Sequence, residues 1–382
     1  MPDGVATEVP LPGLETPPVM TEPTIGHWRE HAPQKRLMLF SGRSHRDLAE
    51  RIGEKLGVEL GEVTLKTFAN GETYCRYEES VRGADLFLVQ TGCEPVDRNL
   101  MELLIMIQAA KLASAKRITA VVPWYPYSRQ DKKSAPREPV TGKLVADFLQ
   151  VAGADRVLTM DLHAGQIQGF FTVPVDHMTA LPLFAQYFRD KGIAGNAVVS
   201  VAPDAGRAKM GVKFSQMIEG DFAIMHKTRP EHDQASVTEV TGSVRGKVAV
   251  VGDDVIMTGG TIISGARALK EAGATEVHVF ATHGIFAGNA LERFAGADEL
   301  DGVVVTDTVP IDPLRRPDKV TVLSVSGLLA ETIWNVFSDE SVSAIFAGEN
   351  QLFQRDLTGP VLAARLERCD LVYTALRCRW PS

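Results

Sequence analysis

The sequence predicts an α/β protein built from two doubly wound parallel-sheet domains. Short apolar runs of β-branched and small residues, such as VAVV at 248–251, read as strands buried on both faces of a parallel sheet. In each half these runs alternate with segments of helical periodicity, the pattern of repeated strand–helix–strand units. A chain of 382 residues is long for one core and fits two domains of ordinary size.

Residues 1–34 hold seven prolines, little apolar periodicity and more acidic than basic side chains, so a disordered or loosely attached tail is expected there. Structure begins with a strand at 36–40, then Ser41 and Gly42, then a helix over 45–55 that Gly57 ends. A second strand spans 63–68, and Asn70-Gly71 predicts a tight hairpin turn after it. Residues 85–90 form another strand. The helix over 97–111 carries Leu100, Leu103, Leu104, Ile107 and Ala110 at core spacing. A strand at 118–122 delivers WYPYSRQD, 124–131, to a polar loop beyond its carboxyl end, where α/β sheets place ligands. Arg129 offers planar, permanently charged donors suited to phosphate oxygens, and Gln130 and Asp131 can hydrogen-bond a base or a ribose. As an isolated cluster, RQDKK reads more often as a solvated surface turn. A loop at 134–143 leads into a helix marked by Leu144, Val145, Phe148 and Leu149.

The second half opens with a strand at 156–160 followed by Asp161, Leu162 and His163; a histidine there can ligate a metal, donate to a phosphate or simply sit satisfied in the core. A strand at 197–201 runs into Pro203, Asp204, Ala205 and Gly206. The strand at 222–225 presents Lys227 and Arg229, whose spacing of two points both side chains the same way on extended backbone. The central segment is KVAVVGDDVIMTGGT, 247–261. Its strand is expected to end at Asp253 and Asp254, and Thr258, Gly259, Gly260 and Thr261 lead into a helix through Ile262, Ala266 and Leu269 that Gly273 closes. Glycines let backbone N–H groups close on an oxyanion, and a helix N-terminus adds roughly half a positive charge. That order of parts suits a phosphate, with the aspartates facing sugar hydroxyls or a cation; an ordinary capped turn is the alternative. Strands at 276–282, 303–305 and 320–323 follow, with a turn at His283 and Gly284 and a last helix through Leu328, Leu329, Ile333 and Val336. Residues 347–382 allow one short helix, through Val361, Leu362, Leu366 and Leu371.

Composition narrows the function. A formal net charge of −8 argues against a nucleic-acid binder acting through a general basic surface, while leaving local basic clusters free to serve small anions. No apolar run approaches the roughly 18 residues of a membrane span, and the first residues lack the basic and apolar regions of a secretion signal. Four cysteines, Cys75, Cys93, Cys369 and Cys378, are scattered without metal-ligand spacing, so a reducing cytoplasm is expected.

Residues 247–261 resemble the phosphoribosyl-diphosphate (PRPP) loop shared by type I phosphoribosyltransferases and ribose-phosphate diphosphokinases, the PRPP synthetases. VVPWYPYSRQDKK at 121–133, LVADFLQVAGADRVLTMDLHAGQIQGFF at 144–171, KTRP at 227–230 and ATHGIFAGNA at 281–290 are similar to the synthetases in particular. The resemblance covers most of residues 36–346 and implies a type I phosphoribosyltransferase-like architecture in both domains. It further implies transfer of the diphosphoryl group of ATP to ribose 5-phosphate, giving PRPP and AMP with Mg²⁺. By the same resemblance, Phe68, Asn70 and Glu72 hold adenine across a subunit boundary, and Arg129, Gln130, Asp131 and His163 complete ATP binding. His163 and Asp204 organise magnesium. Asp253 and Asp254 hold the ribose hydroxyls, Met257, Thr258, Gly259, Gly260 and Thr261 hold the 5-phosphate, and Lys227 and Arg229 stabilise the transition state on a closing flap.

The implied organisation is an ATP-contributing domain at 35–180 joined by 320–346, a ribose-phosphate domain at 181–319 and an extension at 347–382, in a homo-oligomer, a hexamer or its dimer unit. Three residues depart from the family pattern: Arg207 for a second glycine, Met210 for an arginine, and Met257 for a third aspartate. Met257 leads us to expect reduced activity or altered substrate affinity rather than inactivity. Arg207 adds a cation that either tightens anion binding or alters access. A noncatalytic regulatory homologue and a phosphoribosyltransferase are the alternative readings; SRQD, the hairpin and KTRP speak against the latter.

Overall fold

The computed structural model describes residues 35–228 and 237–344, and the side chains of residues 227, 228, 237, 238 and 344 lie outside that description. The tail at 1–34, the extension at 347–382 and Arg229 also lie outside it. From Arg36 onward the described residues belong to one contact unit.

Two sheets carry the structure. In the first, β1 (Leu37–Ser41), β4 (Asp85–Val89), β5 (Arg117–Val122), β6 (Arg156–Met160) and β7 (Val175–Met178) run parallel in that spatial order. The intervening β2 (Val63–Thr67) and β3 (Thr73–Tyr77) form the separate antiparallel hairpin that Asn70-Gly71 predicts, with Gly71 at φ 91°. In the second sheet the order is β10 (Val237–Thr241), β9 (Asp221–Thr228), β8 (Val198–Ala202), β11 (Val248–Ile256), β12 (Glu276–Gly284), β13 (Gly302–Thr306) and β14 (Val320–Leu323). Among its described strands β9 and β10 pair antiparallel, and the other neighbours pair parallel.

Alternation along buried strands sends apolar side chains to both faces of each sheet, so each sheet needs two helical layers. Leu39, Phe87, Val121 and Leu158 of the first sheet and Val250, Phe280 and Val304 of the second meet in one shared core. Between them lie α1 (Arg46–Leu56), α4 (Leu181–Asp190), α5 (Ala208–Met217) and α8 (Ser326–Ser338). The Phe280 ring stacks 4.7 Å from Phe184 and 4.4 Å from Phe214 in this layer. The outer face of the first sheet is covered by α2 (Val96–Leu112) and α3 (Thr141–Ala152) through Leu103, Met106 and Leu149. The outer face of the second is covered by α6 (Gly260–Glu271) and α7 (Ala290–Ala295) through Leu269 and Phe294. β14 extends the second sheet, whereas α8 directly after it packs on α1. No described helix is long and apolar enough to cross a membrane.

Several strands outrun their sequence-predicted ends, and two of these, β11 and β12, concern the acid pair. β11 continues through Asp253 and Asp254 to Ile256 instead of ending at the acid pair. The reason is a neighbour: β12 pairs with β11 as far as Ile256, while β8 pairs only to Val251. β12 in turn runs through His283 and Gly284, where a turn is expected from sequence; His283 is a fully buried strand residue. The chain passes from β8 outward to β9 on one side and from β11 outward to β12 on the other, so the early end of β8 opens a crevice at a topological switch point, where open α/β sheets bind ligands.

Candidate active site

The acid pair lies in that crevice. Asp254 has 5% of its side chain exposed and Asp253 25%. The Asp254 backbone N–H donates to Oδ1 of Asp253 at 2.8 Å, locking the two together. From the first half of the chain, Nδ1 of His163 meets Oδ2 of Asp254 at 2.7 Å. From the turn after β8, Arg207 donates through Nε to Oδ1 of Asp253 at 2.9 Å, through one terminal nitrogen to Oδ1 of Asp254, and through the other to the His163 carbonyl at 3.2 Å. Both halves therefore contribute to one cluster. Burial and then the adjoining Asp254 carboxylate push Asp253 up to about 7, against the pull of Arg207. Burial acts on Asp254 in the same direction, but the His163 hydrogen bond, Asp253 and Arg207 outweigh it and hold Asp254 down to about 2.

Immediately after β11, Gly259 takes φ +75° at the N-cap of α6, and Thr258, Gly260 and Thr261 are exposed beside it. The first turn of α6 contains no acidic residue, so no carboxylate of its own offsets the positive end of the helix dipole. Met257 behaves differently from its neighbours. Its carbonyl accepts from the Ala287 N–H at 2.9 Å, and its side chain packs against a small apolar cluster of Cys93, Trp124, Val255 and Val309.

Asp204 is exposed and caps the short turn that follows β8, Oδ1 accepting from the Arg207 N–H at 3.1 Å. Among the described residues no group of three or more histidine, cysteine or acidic side chains is arranged for a metal ion. The second carboxylate oxygen of Asp204 and Nε2 of His163 have no hydrogen bond among the described residues. An exposed carboxylate oxygen suits Mg²⁺, which keeps several waters and leans on substrate phosphates rather than on a protein cage.

In the first half, Arg129 and Gln130 are exposed and Asp131 is buried. Asp131 accepts from Nε2 of Gln166 at 2.8 Å, tying the RQD loop to the segment after His163, and Gln130 accepts from the Thr141 hydroxyl at 2.6 Å. On the hairpin, Phe68 is 52% exposed with Tyr74 edge-on at 5.8 Å, and Oδ1 of Asn70 accepts from the Glu72 N–H at 3.2 Å. Lys227 sits on β9 opposite Thr238, its side chain outside the described residues together with all of Arg229.

Sequence reasoning missed the scaffold that aims His163. Asp161 adopts φ 32°, a left-handed conformation uncommon outside glycine, and its carboxylate accepts from the Ala180 N–H at 2.8 Å and the Thr282 hydroxyl at 2.6 Å. His177 accepts from the Leu162 N–H through Nε2 at 2.9 Å. His283 faces the Met160 carbonyl with Nε2 at 3.1 Å, so that nitrogen carries the proton and Nδ1 accepts from the Thr308 hydroxyl at 2.9 Å. Further along the seam Thr91 donates to the Thr308 carbonyl at 2.7 Å, and His45 lies 2.9 Å from the Asp307 carbonyl. Only partner residues far apart in sequence reveal these roles.

Burial lowers the pKa of His45, His177 and His283 below the usual 6.5. Below that value the unfolded chain binds more protons at these three sites than the folded one, so stability falls as pH falls; raised Asp253 opposes them with one group. The melting temperature is therefore expected to drop between about pH 7 and pH 5, measured by scanning calorimetry. A flat or rising profile would contradict neutral histidines in the seam.

Comparison with known proteins adds to this geometry. Residues 37–153 match the family model described as the N-terminal domain of ribose phosphate pyrophosphokinase, and residues 223–347 match the phosphoribosyl synthetase-associated domain. The chain is 46% identical over 308 residues to a ribose-phosphate pyrophosphokinase of Fusobacterium nucleatum, covering 81% of this chain and 97% of that protein. It is 48% identical over 328 residues to the ribose-phosphate pyrophosphokinase of Corynebacterium efficiens, covering 85% and 99%. The crystal structure of phosphoribosylpyrophosphate synthetase from Mycobacterium smegmatis superposes with a TM-score of 0.76 at 45% identity, over 80% of this chain and 100% of that one.

Proposed function

The chain belongs to the ribose-phosphate pyrophosphokinase family, and from that premise we propose that it transfers the diphosphoryl group of ATP to the anomeric hydroxyl of ribose 5-phosphate at the crevice between β8 and β11. The observation that carries the placement is the His163–Asp254 contact, which joins the ATP-contributing half to the sugar half in one cluster. Attack of the anomeric oxygen on the β-phosphorus forms one P–O bond and breaks the α–β bridge, leaving AMP. Such a displacement needs alignment and charge neutralisation more than a covalent catalyst.

In this reading the exposed first turn of α6, with Thr258, Gly259, Gly260 and Thr261, binds the 5-phosphate through backbone N–H groups and hydroxyls. Asp253 and Asp254 accept from the ribose hydroxyls. Met257 contributes backbone only, since its side chain faces the apolar cluster. Arg129 meets ATP phosphates, Gln130 and Asp131 meet base or ribose, and Phe68 stacks on adenine with Asn70 and Glu72 beside it. Asp204 and His163 would hold a magnesium ion, which would supply neutralisation of phosphate charge. The exposed Phe68 ring, 52% accessible within its own chain, supports a site completed by a second copy and hence a homo-oligomer, a hexamer or its dimer unit. We place the first domain at 35–180 and the second at 181–319 and correct the expected return of 320–346: β14 at 320–323 stays with the second sheet because it pairs with β13, and only α8 packs back on α1 of the first domain. We place the enzyme in the cytoplasm.

Lys227 and Arg229 meet charge developing on the transferring phosphoryl oxygens. Lys227→Ala and Arg229→Ala should each lower kcat by about 10²- to 10³-fold with little change in the KM of ribose 5-phosphate. Steady-state kinetics with AMP as readout separate the two parameters. Raised KM with unchanged kcat would assign these cations to ground-state binding.

A further inference from the structure

Arg207 lies inside the crevice with 17% of its side chain exposed, and its guanidinium converges on acceptors from both halves of the chain. Two adjoining carboxyl groups next to an anion-binding helix end are an electrostatic conflict: a dianionic sugar phosphate entering beside them meets the Asp254 carboxylate at short range, and the Asp253 charge as well whenever that group is ionised. A guanidinium resolves it, because it stays charged at any working pH and its planar fork serves two carboxylates at once. With Arg207 in place, three of the four oxygens of the pair have nitrogen partners, and Oδ2 of Asp253 is the one with none among the described residues. That oxygen is the natural acceptor for a ribose hydroxyl.

We infer that Arg207 is the resident counter-ion of the acid pair, allowing Asp253 and Asp254 to take an anionic sugar phosphate without a metal ion. It acts through the two aspartates and is a positioning residue. The inference rests on reading the acid pair and the glycine turn as the ribose 5-phosphate site. A lysine keeps the charge but cannot reach both carboxylates in the fork geometry.

Calorimetric titration of ribose 5-phosphate into the full chain, in EDTA and without nucleotide, tests it. The native protein should bind under these conditions. Arg207→Gln should bind about 10- to 100-fold more weakly, and added Mn²⁺ should restore much of the loss by supplying the missing charge. Arg207→Lys should fall between them, which keeps the test usable if the glutamine variant folds poorly by circular dichroism. Metal-free binding by Arg207→Gln as tight as that of the native protein would overturn the counter-ion, as would absence of metal-free binding by the native protein. Gly259→Val separates this from failure of the underlying site: undiminished binding by that variant would remove the site itself, whereas lost binding there with full affinity in Arg207→Gln would remove only the counter-ion.

Discussion

Asp254→Ala should lower kcat/KM for ribose 5-phosphate by about 10³-fold and the unfolding free energy by about 3 kcal/mol. The two effects have separate origins. The substitution strips Arg207 and His163 of their shared partner in a position where Asp254 is only 5% exposed, leaving a guanidinium poorly paired in a partly dry crevice. It also removes an acceptor proposed for the ribose hydroxyls. Asp254→Asn separates the two, because the amide oxygen can still accept from Arg207 while the charge is gone. That variant should keep most of the stability and lose most of the activity. Denaturant melts and steady-state kinetics on both variants decide the matter: near-native kcat/KM in Asp254→Ala would exclude Asp254 from the site.

Gly259→Val should abolish measurable ribose 5-phosphate binding, a loss of at least about 100-fold, while the rest of the fold survives. At φ +75° a β-branched residue is strained, and a Cβ here would lie 2.6 Å from the Phe294 ring of α7. Relief of either problem moves the loop and misaims the first N–H groups of α6. The body of α6 remains anchored by Ala266 and Leu269. Gly260→Ala is the matched control, since a Cβ at that position meets nothing within 4 Å and its φ is not positive. Titration calorimetry should show a small change for Gly260→Ala; equal losses in the two variants would mean that the turn conformation at Gly259 is not what binds the phosphate.

The parts of this molecule legible from sequence are the local ones. Apolar runs such as VAVV at 248–251 and the helical stripe through Leu103 and Ile107 are sufficient to predict two parallel sheets flanked by helices, because burial on both faces leaves no polar alternation to confuse the period. Asp253, Asp254 and the glycine turn stand out for the same reason: strand, acids and helix start follow one another within fifteen residues, 247–261. What escapes is set by partners far away in the chain. The strand status of Asp253 and Asp254 depends on where β8 stops relative to β12. Arg207 is visible in sequence as an extra cation, but its role requires Asp253 46 residues later and His163 44 residues earlier. His283 looks like a turn residue until Met160 and Thr308 close around it. Met257 resembles a lost ligand in sequence, whereas its packing against Trp124 and Val309 shows an apolar side chain placed in an apolar cluster.

The most direct measurement is an assay of the purified full chain with ATP, ribose 5-phosphate and Mg²⁺ in which AMP and PRPP are followed together. Equimolar appearance of both, lost when Mg²⁺ is withheld, is the expected result. ADP in place of AMP, or no PRPP from a folded chain that still binds ATP, would contradict diphosphoryl transfer at this site.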